Sequence, residues 1–163
     1  MKKIGLLSDT HGYFDDKLKY FFDDVDELWH AGDIGSLFLA DTISNFKPLR
    51  AVYGNIDGSD VRVIYPEILR FECEDIDVLM THIGGYPGKY EPNLKKMLVE
   101  KAPQLLICGH SHILKIMYDN KFNFLFINPG SAGKYGFHKV RTAVRFIIEA
   151  SKAKNMEIAE WTK

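Results

Sequence analysis

Five short apolar runs constrain this chain more than any other feature: Ile4–Leu7, Leu28–Ala31, Leu49–Tyr53, Val78–Met80 and Leu105–Cys108. Each ends in polar residues or glycine, and such brief runs read as buried strands. Helical patterns lie between them. Asp15–Phe22 sets Leu18, Phe21 and Phe22 on one face, and Ser36–Phe46 sets Leu39, Ile43 and Phe46 on one face behind a Ser36 N-cap. Pro92–Glu100 opens with a proline near the first helical position. The second half is richer in strands: Ile68–Phe71, Lys115–Tyr118, Phe122–Ile127, Thr142–Ile148 and Met156–Trp161, with a hairpin turn expected at Asp119-Asn120. A βαβ-rich first half and a strand-rich second half predict two sheets packed face to face with helices outside, an α/β (α+β) fold.

The chain has 163 residues, which suits one domain over 1–163. A formal net charge of -1 gives no support to a nucleic-acid-coating surface, though nucleic acid is not excluded as a substrate. Cys73 and Cys108 lie in separate strands and read as buried thiols in a reducing compartment. The apolar run after Lys2 and Lys3 stops at Leu7, short of the roughly 7–15 apolar residues of a signal peptide. Nothing approaches the ~18 apolar residues of a membrane span. The expectation is a soluble, cytoplasmic protein.

The residues directly after each apolar run carry the chemistry. They are Asp9-Thr10-His11, Gly32-Asp33, Gly54-Asn55, Thr81-His82 and Gly109-His110-Ser111-His112. In open α/β sheets the C-terminal strand ends are where ligands bind. Imidazole suits zinc, iron and nickel, while carboxylate and amide oxygens suit manganese and magnesium. A central Asp33 could bridge two cations about 3.5–4 Å apart, close enough to clamp a phosphate and generate hydroxide. The glycines before Asp33, Asn55 and His110 suggest tight turns that swing the ligands inward. A single D-x-H or G-N occurs often by chance; all five in order, each at a strand end, multiply into a specific signal.

With S-D-T-H-G at 8–12, H-A-G-D at 30–33, G-N-I-D at 54–57, T-H at 81–82, G-H-S-H at 109–112 and I-N-P-G-S at 127–131, the chain resembles the calcineurin-like metallophosphoesterases. The resemblance runs along essentially the whole chain and is nearest to the small single-domain bacterial and archaeal phosphodiesterases. It implies a four-layer fold of two stacked mixed β-sheets flanked by helices. It implies two divalent metal ions per chain, manganese favoured among Mn, Ni, Fe and Zn. Asp9, His11 and His112 would bind the first, and Asn55, His82 and His110 the second, with Asp33 bridging. A bridging hydroxide would attack phosphorus in line. Asp33, Asn55 and Asp57 are then the catalytic candidates, and Asn55 and Asn128 the substrate contacts.

Many relatives carry histidine where this chain has Ile56, so no general acid is assigned, and such a group contributes typically 10²–10⁴-fold. Asp57 reads equally as a turn carboxylate capping local amides, and Asn128 equally as a turn former. His30 lies three residues before Asp33 in a strand and reads as a hydrogen-bonded structural residue facing away from it. His138, in the Gly-rich segment 130–139, reads as a surface-loop histidine in preference to a substrate contact. The loop Gly84–Tyr90 is either a mobile wall of the site or a surface connection. The stripe Phe122, Phe124 and Phe126 suits core packing or a homo-oligomer contact better than base stacking. The expected activity is hydrolysis of a small phosphodiester, with phosphomonoesterase or nuclease activity as neighbouring readings. A protein-binding scaffold on the same fold, as in the retromer subunit that resembles this family, is the reading from another class.

Overall fold

The computed structural model describes residues 1–163. In chain order, β1 (Lys2–Leu7), α1 (Asp16–Phe21), β2 (Glu27–His30), α2 (Leu37–Phe46), β3 (Leu49–Ala51) and α3 (Ser59–Ile64) form the first half. Then come β4 (Ile68–Cys73), β5 (Ile76–Thr81), the two-residue strands β6 (Gly85–Tyr86) and β7 (Lys89–Tyr90), α4 (Pro92–Glu100) and β8 (Leu105–Ile107). The chain closes with β9 (Leu114–Asp119), β10 (Phe124–Pro129), β11 (Val140–Glu149) and β12 (Lys152–Thr162).

Two five-stranded mixed sheets result, ordered β12-β11-β1-β2-β3 and β4-β5-β8-β10-β9. β1, β2 and β3 run parallel in the first, as do β5, β8 and β10 in the second, so each trio presents its C-terminal ends along one edge. Strand alternation divides the apolar residues among three cores. Ile4, Leu6 and Trp29 meet Val78, Met80, Leu105 and Ile107 between the sheets. Leu7 and Leu28 face outward onto Leu18, Leu39, Ile43 and Val61 of α1–α3 and onto Phe22 at the end of α1. Leu79, Leu106 and Phe126 face outward onto Leu94 and Leu98 of α4. The order helix, sheet, sheet, helix gives the expected four layers.

Ser36 caps α2 through its side chain, and α4 begins at Pro92 as its sequence predicts. Phe124 and Phe126 are buried beneath α4, so the aromatic stripe is core. The hairpin turn after Asp119 is longer than a two-residue loop. The Asp119 carboxylate accepts from the Lys121 and Phe122 amides, and Asn123 takes a left-handed φ of 59° before β10 begins. Phe122 therefore belongs to the turn. Residues 84–90 close as the small β6–β7 hairpin, held by a 2.5 Å bond from the Tyr90 hydroxyl to Asp119. No helix is long and apolar enough to cross a membrane.

Candidate metal centre

The loops after β1, β2, β5 and β8 are tied to one another before any ligand is considered. The Asp9 and His11 amides donate to the Gly32 and Asp33 carbonyls at 2.9 and 3.0 Å. Gly109 N–H donates to the His82 carbonyl at 3.0 Å, and Ala132 and Gly133 N–H donate to Ser8 and Asp9 carbonyls at 2.9 and 3.2 Å. These bonds hold six side chains in a common volume. Two candidate ligand triads emerge, Asp9 with His11 and His112, and Asp33 with His82 and His110, each with its donor atoms within 4.8 Å of one another. The Asn55 amide oxygen joins the second triad, 3.1 Å from His82 Nε2.

Five of these residues are in the left-handed region: Asp9 (φ 53°), His11 (45°), Asp33 (55°), His110 (70°) and His112 (60°). Aspartate and histidine tolerate this conformation better than bulky residues but still at a cost. The ligand pairs at 9/11 and 110/112 thus converge through kinked backbone, not through continued strand alternation.

The glycines before the ligands serve two purposes. Gly32 is left-handed at φ 100°, a turn only glycine makes freely. Gly54 and Gly109 have no such φ and are needed for space. A Cβ at 54 would overlap Asp33 Oδ1 and backbone N and lie 2.7 Å from its Cγ. A Cβ at 109 would overlap the Ser8 hydroxyl and lie 3.1 Å from Asp9 Oδ2. Gly54→Ala should therefore lower stability by about 1–3 kcal/mol, because the clash is with backbone that cannot give way. Urea unfolding of the metal-free variant measures the loss, and an unchanged midpoint would refute the close approach.

The electrostatics depend on which group donates to which. Asp9 Oδ2 accepts from the Ser8 hydroxyl (2.6 Å) and the His110 amide (3.1 Å), which leaves Oδ1 bare. Asp9 Oδ1 and His11 Nε2 are buried and have no hydrogen-bond partner. Asp33 Oδ1 accepts from Ile56 N–H at 3.0 Å, while its Oδ2 lies 3.1 Å from His82 Nε2 and 3.6 Å from His11 Nε2. That oxygen stands between the two triads. His82 Nδ1 lies 2.7 Å from the Ala31 carbonyl, which can only accept, so Nδ1 carries the proton when the ring is neutral. His82 Nε2, Asp33 Oδ2 and Asn55 Oδ1 then face one another as three acceptors. A single cation satisfies all three, so the residues present fit bound divalent metal.

Burial alone would raise the Asp33 carboxyl, but the His82 bond and charge with the Ile56 amide outweigh it and hold it below the usual range. Asp9 is likewise lowered despite burial, by His112, His82 and Ser8. Burial opposes the imidazolium of His82, yet Asp33, Asp9 and the Ala31 carbonyl raise it. Burial lowers His11, with Asp33 and Asp9 pulling the other way.

The remaining candidates brace the site. Asp57 accepts from the amides of Ile34 (3.1 Å), Gly35 (2.8 Å) and Gly54 (2.8 Å), tying the Asp33 loop to the Asn55 loop. Asn128 spends its amide on the Gly109 carbonyl, Ser111 Oγ and the Gly130 amide. His30 is fully buried, accepts from the Gly32 amide at 3.1 Å and meets Thr10 Oγ1 at 2.9 Å. His138 is not a free surface residue: its Nδ1 lies 3.1 Å from His112 Nδ1. Arg62, on the helix α3 that no sequence pattern announced, donates to the carbonyls of Asp57 and Asn55 while stacked 4.5 Å over Tyr53.

A four-layer fold with such a cluster at the strand ends defines a metallohydrolase-like protein. A model of the calcineurin-like phosphoesterase superfamily domain matches residues 1–151, and the chain belongs to that family. A probable metallophosphoesterase from Mycoplasma pneumoniae is 35% identical over 136 residues, covering 80% of this chain and 79% of that one. One from Methanocaldococcus jannaschii is 33% identical, covering 78% and 67%. Among solved structures, a novel archaeal phosphodiesterase superposes with a TM-score of 0.75 at 25% identity over 96% of this chain and 99% of the other. Chaetomium thermophilum Vps29 shares the fold with a TM-score of 0.76 at 15% identity, covering 100% of both chains.

Proposed function

We propose that this phosphoester hydrolase is a phosphodiesterase for small diesters, built on a dinuclear centre that favours manganese. The observation that carries the reading is Asp33 Oδ2 standing between two separate ligand triads. Asp9, His11 and His112 would hold one cation, His82, His110 and Asn55 the other, and Asp33 would serve both. Bound divalent cations supply Lewis acidity, which activates water and neutralises charge on the phosphoryl oxygens.

The chain's own residues favour a diester with a good leaving group. Ile56 offers no proton at the position where many relatives have histidine. Asp57 has both oxygens filled by backbone N–H groups, so it orients the loops and is not a proton donor. Two recesses open onto the ligand cluster, one beside His110 and His112 and the other beside His82 and Asn55. One of about 470 Å³ is lined by His110, His112, Ile113, Tyr135 and Phe137; the other, of about 190 Å³, by Asn55, His82, Arg62, Tyr53 and Ile83. A phosphorus held between them has room for an ester arm on each side, whereas a monoester needs one.

The test is to strip the metals, restore Mn²⁺, and compare bis-p-nitrophenyl phosphate with p-nitrophenyl phosphate. Faster diester cleavage supports the proposal. Preference for the monoester would reassign the chain as a phosphatase. Two bound metals with no turnover of either would move it to the scaffold reading that the Vps29 likeness in fold raises.

A further inference from the structure

We propose that His138 is a positioning residue that locks His112 in the tautomer able to bind metal through Nε2. The inference rests on reading Asp9, His11 and His112 as a metal site. One chain of hydrogen bonds carries it. His138 Nε2 lies 2.8 Å from the Gly133 carbonyl oxygen. A carbonyl only accepts, so His138 Nε2 carries the hydrogen, and in the neutral ring Nδ1 keeps its lone pair. That lone pair faces His112 Nδ1 at 3.1 Å. Two bare nitrogens do not bond at that distance, so His112 Nδ1 carries the hydrogen and its Nε2 is bare. Nε2 is the atom 3.1 Å from Asp9 Oδ1, the buried oxygen with no partner.

The start of the relay is fixed to the site itself, because Gly133 N–H donates to the Asp9 carbonyl. Its path is also built into the loop. Gly136, at φ 123°, passes over both rings, and a Cβ there would lie 2.5 Å from His112 Nδ1 and 3.1 Å from His138 Nδ1. Only glycine lets the loop cover the pair. The two triads therefore orient a histidine by different means. His82 uses a backbone carbonyl directly, while His112 uses a second imidazole that itself leans on a carbonyl. Outer partners of metal-binding histidines typically contribute 10–100-fold in affinity.

Nitrogen-15 NMR of the metal-free protein at pH ~8, where imidazoles are neutral, reads the tautomers directly. His112 should be protonated at Nδ1 and His138 at Nε2. His138→Phe keeps an aromatic ring without an acceptor; His112 should then become a mixture, and Mn²⁺ affinity should fall about 10–100-fold at one site while the other is unchanged. His138→Gln restores an acceptor and should recover most of that affinity. Protonation of His112 at Nε2 in the native protein would overturn the proposal. So would equal loss at both sites with a lower melting temperature, which would make His138 a general support of the loop. A protein that binds two Mn²⁺ but hydrolyses nothing would sink the phosphodiesterase reading and leave this one standing. A protein that binds no Mn²⁺ would remove the site itself and the inference with it.

Discussion

Asp33→Asn should cost at least ~10³-fold in diester hydrolysis and leave the centre short of metal, with little change in the fold. The amide replaces the carboxylate almost isosterically. Its oxygen can still accept the Ile56 N–H at the position Oδ1 holds now. What changes is the atom between the triads: an acceptor carrying negative charge becomes an N–H₂ donor facing His82 Nε2 and His11 Nε2. A donor there cannot serve a cation, and it repels one. Metal content by mass spectrometry and kcat/KM on bis-p-nitrophenyl phosphate are the two readouts. Full metal content with near-native turnover would show that Asp33 is not central.

The second large effect is on stability and pH. Burial pushes the His30 imidazole down to about 4 from an ordinary value of 6.5, against the pull of Asp57 and Asp9. Between those values the unfolded chain takes up a proton that the native chain refuses. Stability contributed by neutral His30 is thus full above pH 6.5 and declines as pH falls toward 4, by about 3 kcal/mol in all. Asp9 and Asp33, both lowered in the fold, also lose stability toward acid, but mostly below their ordinary value of 3.8. His82, raised in the fold, contributes stability below its unfolded value that is lost as pH rises. The difference between native protein and His30→Asn isolates the His30 share. Urea unfolding of both from pH 7 to 4 should give converging stabilities at the acid end. Parallel curves would refute the assignment.

The candidate ligands were legible as a group because they are unusual residue types at strand ends, and each strand was legible from a brief apolar run. The helices over 37–46 and 92–100 start where Ser36 and Pro92 suggest, although the cap of the second, Glu91, had no sequence signal. Helix α3 was not legible: Ser59–Ile64 contains two valines and an isoleucine in six residues, has no side-chain cap, and holds its place through Arg62. The roles of Asp57 and Asn128 stayed open in the sequence because a carboxylate or amide beside a site reads the same whether it meets substrate or backbone. Only the identity of the three donors on Asp57 separates the cases. His138 was missed as part of the site because its partner lies 26 residues away, and nothing local signals an imidazole pair. The spacing glycines carried half a message. Gly54 and Gly109 announced a special position, but whether for torsion or for room depends on the facing strand.

The left-handed ligand residues set the fold against its own site. At each of the five positions the backbone is better suited to glycine, by on the order of 1 kcal/mol apiece. Summed, that is a sizeable fraction of the ~5–15 kcal/mol that holds a domain together. Ligand-to-glycine exchange at the exposed His110 should therefore make the metal-free chain harder to unfold while removing a ligand. A protein kept only for its surface would gain by such exchanges. This chain instead keeps three histidines and two aspartates there, a cost that binding a metal would offset.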